Sequence, residues 1–216
     1  MIHLIDQLRK LNNPSLNFND NVTCLIFLYE VFPLLDKGDF SASENLMRSY
    51  NEELFKKTHL LSLARNAELS LYTALIFFGI RDYGKAQKAL SKIIFIGKSY
   101  TSLPIYRTIR LVNLMILYER KDFDLIKYET RSIKRDMHVV GKEYKIERSV
   151  LSFVNKQNLP ASGMKRKALW EKISEDHEKI RHDVFEQQIL RLFDFSAWME
   201  SKIRKVSLSE ILIAKF

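Results

Sequence analysis

Proline and glycine are scarce in this chain, four and six respectively among 216 residues. Their combined average share is about 12%, so a turn-rich β-sandwich or barrel is excluded and long helices are expected. The single cysteine, Cys24, rules out an intramolecular disulfide, and its place in the run Cys24-Leu25-Ile26-Phe27-Leu28 reads as a small buried hydrophobe. No apolar stretch reaches the roughly 20 residues that span a bilayer. The longest, Leu69 to Ile80, is interrupted by Ser70, Thr73 and Gly79. The N-terminus, Met1 to Lys10, alternates apolar and charged residues as an amphipathic helix does and lacks the unbroken apolar core of a secretory signal. A cytoplasmic protein without a membrane span is the expectation. Gly-rich phosphate loops, a Cys-x-x-Cys pair and a nucleophile elbow are all missing. The expectation is therefore a protein that is not an enzyme, with no catalytic residue, metal or cofactor.

What remains is a chain with 46% hydrophobic and 28% charged residues, enough to bury a core. The fold class expected is all-α. The net charge of +9 is uneven: residues 1–100 carry 12 basic against 10 acidic residues, and residues 101–216 carry 23 against 16. An anionic partner would favour the second half.

A turn recurs along the first part of the chain: Lys37-Gly38-Asp39-Phe40, Ile80-Arg81-Asp82-Tyr83 and Arg120-Lys121-Asp122-Phe123. The aromatics are 43 and 40 residues apart, an interval typical of helical repeats. Before each turn lies a segment apolar nearly all round, Val22–Phe32, Leu69–Ile80 and Ile109–Tyr118. An amphipathic segment follows, as in Tyr83, Ala86, Leu90, Ile93 and Ile94. Stacked hairpins explain the alternation, because the first helix of each pair is covered by its partner and its neighbours while the second meets water. The Asp at each turn is placed to cap the following helix. Ser41-Ala42-Ser43-Glu44 offers a competing capping box in the first pair.

These turns resemble the tetratricopeptide repeat, a helix-turn-helix unit of about 34 residues. The middle unit matches best, with Ala74 where the family prefers Gly, Phe77 where it prefers an aromatic, and Asp82-Tyr83 followed by Ala86. In the flanking units Ser43 and Ile126 replace the small Ala, and Leu114 replaces the Gly. Segments 102–111 and 193–198 are similar to parts of uncharacterised tetratricopeptide-like bacterial proteins, of the Bacteroidota among others. The resemblance implies a right-handed superhelix of antiparallel hairpins and no activity. On this reading residues 1–157 are the repeats and 164–216 a C-terminal helical cap packed on them. Only the short helix at 1–12 is available to cap the very apolar helix at 22–32, as in the C-terminal part of a longer array.

Past Met137, Gly141 marks a break, and a helix from about Lys142 to Asn155 turns Tyr144, Val150, Leu151 and Val154 inward. Residues 158–163 form a loop. In the cap, Leu169, Trp170, Ile173, Ile180, Val184, Ile189 and Phe193 recur at helical spacing, and Ser207-Leu208-Ser209-Glu210 opens a final helix.

Two binding surfaces follow. The resemblance places the first helices on a concave side, where Tyr72, Leu75, Phe78, Leu111, Met115 and Tyr118 form an apolar wall for a protein or peptide, for a second protomer, or for the chain's own C-terminal helices. Self-coverage is favoured, since the terminal apolar helix needs a home. The alternative is nucleic acid on a basic stripe, Lys127, Arg131, Lys134, Arg135 and His138, extended by Lys142, Lys145 and Arg148 and joined by Lys165, Arg166 and Lys167. A reader of nucleic acid interleaves exposed aromatics, and Phe123 and Tyr128 read more simply as packing residues. An enzyme built on His177, His182 and Glu186 is the third possibility. His177 and His182 are five apart, about 140° around a helix, too far for one metal.

Overall fold

The computed structural model describes residues 2–10, 15–96, 99–140, 143–156 and 158–215, and among these there are helices and turns but no strand. The helices are α1 (Ile2–Lys10), α2 (Leu16–Asp36), α3 (Phe40–Ser49), α4 (Leu63–Gly79), α5 (Tyr83–Ile96), α6 (Ile105–Glu119), α7 (Phe123–Val140), α8 (Lys145–Val154), α9 (Gly163–Arg181), α10 (Gln187–Leu190), α11 (Phe195–Arg204) and α12 (Leu208–Ile213). A 3-10 helix, Phe55–Leu60, precedes α4. None of the described helices is long and apolar enough to cross a membrane.

The three Asp-aromatic turns share one backbone geometry. The residue before each Asp is left-handed, with φ of 73° at Gly38, 65° at Arg81 and 62° at Lys121. Its N–H donates to the carbonyl three residues back, at Leu35, Phe78 and Tyr118 (3.0, 3.0 and 3.1 Å). The N–H of the Asp itself donates five residues back, to Leu34, Phe77 and Leu117 (2.8, 2.9 and 3.0 Å). This is the Schellman closure of a helix, which satisfies carbonyls the helix end would leave unpaired. Only Gly38 adopts its φ without steric cost; Arg81 and Lys121 are held there by the same two bonds.

The next helix starts at once. Asp39 Oδ1 accepts the N–H of Ala42 and Asp82 Oδ1 that of Lys85, each at 3.0 Å. The competing box at Ser41–Glu44 is unused, and Ser43 donates its hydroxyl back to the Asp39 carbonyl instead. The aromatic after the Asp then packs on the helix before it: Tyr83 lies 5.5 Å from Phe78 and Phe123 6.5 Å from Tyr118. Phe40 seats on the last turn of α4 instead, where its ring covers Gly79 so closely that a Cβ there would stand 2.0 Å away.

The chain divides into two compact units, residues 1–109 and 110–216, so the boundary falls inside α6, well before the 158–163 loop expected to separate repeats from cap. In the first unit α2 packs on α1, α3 and α4, and α4 on α5. Cys24, Phe27, Val31, Leu71, Leu75, Ile76, Leu90 and Ile93 are buried. Burial pushes the Cys24 thiol up to about 12, which leaves it unreactive.

In the second unit, every residue of α6 from Arg110 to Leu117 is buried. Trp198 of α11 packs edge-on against Tyr118 and Phe153, and its indole N–H donates to Glu119 Oε1 at 2.9 Å. A fourth Asp-aromatic pair, Asp194-Phe195, opens α11, with Asp194 Oδ1 accepting the N–H of Ala197 at 2.9 Å. The capping box expected at Ser207 and Glu210 opens α12, which buries Ile211 and Leu212 and exposes Ile213. Val184, expected inside, is 85% exposed, because α9 ends at Arg181 and the chain turns there. The expected break at Gly141 lies outside the described residues.

A basic cleft in the second unit

The six residues proposed for an apolar wall are packed into the protein. Tyr72, Leu75, Phe78, Leu111 and Met115 are buried. Tyr72 stands edge-on to Phe32, Phe78 is covered by Tyr83, and half-buried Tyr118 is enclosed by Phe123, Phe153 and Trp198. The expectation of an open wall at these positions is corrected: their apolar surface is spent on intramolecular contacts, which for Tyr118 come from α7, α8 and α11.

The basic residues are divided among three helices, with Lys145 and Arg148 on α8. Lys127, Arg131, Lys134 and Arg135 are exposed along α7. On α9, Lys165 and Lys167 are exposed, while Arg166 folds back to donate to the carbonyls of Pro160 and Ala161. The side chain of His138 and all of Lys142 lie outside the described residues.

The trio His177, His182 and Glu186 does not converge. His182, exposed, lies 3.2 Å from Glu178. Glu186 is buried and accepts the backbone N–H groups of Lys145 (2.7 Å) and Ile146 (3.0 Å), so a residue forty positions away caps the start of α8. This satisfies donors that the helix cannot pair internally. The Lys145 ammonium adds a 2.9 Å bond to Asp183, which holds that carboxyl below the usual carboxylate range. Among the described residues, no group of three His, Cys, Asp or Glu side chains is placed to hold a metal ion.

His177 lines a cleft of about 640 Å³ between α8 and α9. The two helices separate because α9 leans on α11, turning Ile180 and His177 inward, while Leu169 and Ile173 stay half-buried. Phe153, Ile180 and Met199 complete an apolar floor. Around the rim stand Lys145, Arg148, Lys156, Lys172 and Lys179, opposed by Asp176. Lys145, Arg148 and Lys179 have carboxylate partners, at Asp183, Glu143 and Asp176. Spacing along α9 marked Leu169 and Ile173 as apolar; the gap beside them depends on how α9 docks, for which the sequence carries no local signal.

Ser149 Oγ lies 2.7 Å from His177 Nε2. Burial lowers the imidazole's affinity for a proton, with Asp194 and Asp176 pulling the other way. A buried neutral His beside a Ser is half of a nucleophile-base arrangement, but the other half is missing: Nδ1 is buried without a hydrogen-bond partner, so no carboxylate orients the ring. The ring's folded pKa is depressed, so His177 contributes full stability above the unfolded value of about 6.5, and that contribution is lost as pH falls from there through the folded value. Urea midpoints should therefore drop between pH 7 and 5, with a shallower drop in His177→Gln; equal slopes in the two proteins would refute this.

No family model matches the sequence, and no curated protein or solved structure matches the chain.

Proposed function

We propose that this chain is a noncatalytic helical-repeat protein of tetratricopeptide-like type, a right-handed array of antiparallel hairpins, that binds a segment of another protein in the cleft between α8 and α9. The shared closure of the three turns supports the repeat reading, since identical hairpin corners are what a stacked array is built from. The observation that carries the binding site is the cleft's composition, an apolar floor of Phe153, Leu169, Ile173, Ile180 and Met199 under a cationic rim. The size is in the range of binding pockets, about 300–1,000 Å³. Such a surface suits an amphipathic helix that lays leucines on the floor and carries glutamates along both edges.

The test is a fluorescence anisotropy titration with a fluorescein-labelled helical peptide patterned with Leu at i, i+3, i+4 and i+7 and Glu between. Binding should be lost in Ile173→Glu, and Lys156→Glu with Lys172→Glu should weaken it about tenfold, more at low salt. Affinity unchanged by Ile173→Glu would refute the assignment.

A further inference from the structure

The expectation that Tyr128 is a packing residue is overturned: the residue is 72% exposed, while Ile126, Glu129, Thr130 and Ile133 form the inner face of α7. Successive residues of a helix are turned by about 100°, so Tyr128 shares its outer face with Arg131 one turn on and Arg135 two turns on, while Lys127 and Lys134 stand further round on Arg131's side, roughly 100–120° from the ring. Four cations thus lie within about 12 Å of helix axis, two of them on the ring's own face and two beside it. Lys127 has Asp124 at 3.6 Å; Arg131, Lys134 and Arg135 make no ion pair among the described residues. The inner face holds this surface in place, because Arg110 of α6 pairs with Glu129 and Asp136 of α7.

We infer that this face of α7 binds single-stranded nucleic acid, with Tyr128 as a platform for one base and Arg131, Lys134 and Arg135 on the adjoining phosphates. An exposed ring distinguishes this surface from a merely solubilising charge run. Bases stack on it regardless of sequence, whereas an acidic protein surface gains nothing from the π-face. The inference is independent of the cleft, which lies between other helices.

The experiment uses the full chain and 5′-fluorescein oligo(dT)20 and oligo(rU)20 in anisotropy titrations from 50 to 300 mM NaCl. With three to four phosphate contacts, the slope of log K against log salt should be about −2 to −3. Tyr128→Ala should weaken binding about tenfold with that slope retained, and Arg131→Glu with Arg135→Glu should remove it. All three positions are exposed, so unchanged thermal melts should confirm folding. No binding of either oligomer at 50 mM NaCl overturns the inference. So does equal competition by poly-glutamate, which would mean a general anion surface, and so does Tyr128→Ala binding like the parent.

Discussion

Replacing Arg110 by Met should destabilise the second unit by about 3–5 kcal/mol, the usual cost of stranding a buried charge. Arg110 and Glu129 are nearly enclosed, with side chains 9% and 11% exposed, and Nε donates to Oε1 at 2.7 Å. A second guanidinium nitrogen reaches Asp136, which is half in water. Removing the cation leaves the Glu129 carboxylate between two packed helices without its partner, and it must either be charged in an apolar setting or take up a proton. Replacing both, Arg110→Met with Glu129→Leu, should return most of the loss, because the pair offsets its own desolvation and adds little beyond that. Urea denaturation of the two single variants and the double variant separates these contributions. A loss below about 1 kcal/mol for Arg110→Met would show that water reaches Glu129.

Trp198→Ala should cost a similar amount, about 3–5 kcal/mol. The indole is fully buried, stands 5.6 Å from the Tyr118 ring and 5.2 Å from the Phe153 ring, and donates to Glu119, which Lys202 also holds. Trp198→Phe keeps an aromatic edge but gives up the hydrogen bond, so it should fall between the two. Urea denaturation followed by far-UV circular dichroism reads the transition in all three proteins, since the variants lack the Trp198 fluorophore and keep only Trp170. A Trp198→Ala variant as stable as the parent would mean that α11 is not anchored on α6 as described. The same contacts show that cutting away residues 187–216 would not bare a ready-made surface, because it deletes Trp198, Phe195 and Ile203 from the core.

The turns were legible in the sequence because their chemistry is local. Asp caps the residues just after it, and an aromatic five residues past one on the apolar helix, Tyr83 after Phe78 and Phe123 after Tyr118, meets it within one hairpin. Gly38 announced its left-handed corner; Arg81 and Lys121 adopt the same φ without a residue type that signals it. Asp194-Phe195 is a fourth instance of the cap, readable in the sequence by the same Asp-aromatic pair.

The site was legible only in part. The apolar registers of α4 and α6 were read correctly as apolar but placed on a wall, whereas they face neighbouring side chains. Whether a helix face is covered depends on elements far along the chain, as Tyr118 and Trp198 show. Arg110 sits in an apolar helix with nothing nearby in sequence to mark its partners nineteen and twenty-six residues on. Glu186 was weighed only with His177 and His182 as a reacting group, and its use as a cap for α8 requires the turn after α9.

The binding assignment is tested most directly by amide hydrogen exchange on the full chain with and without the Leu/Glu amphipathic peptide. The account predicts slowed exchange confined to residues 145–156 and 169–180, the walls of the cleft. Slowed exchange in α4 instead, with α8 and α9 unchanged, would contradict it.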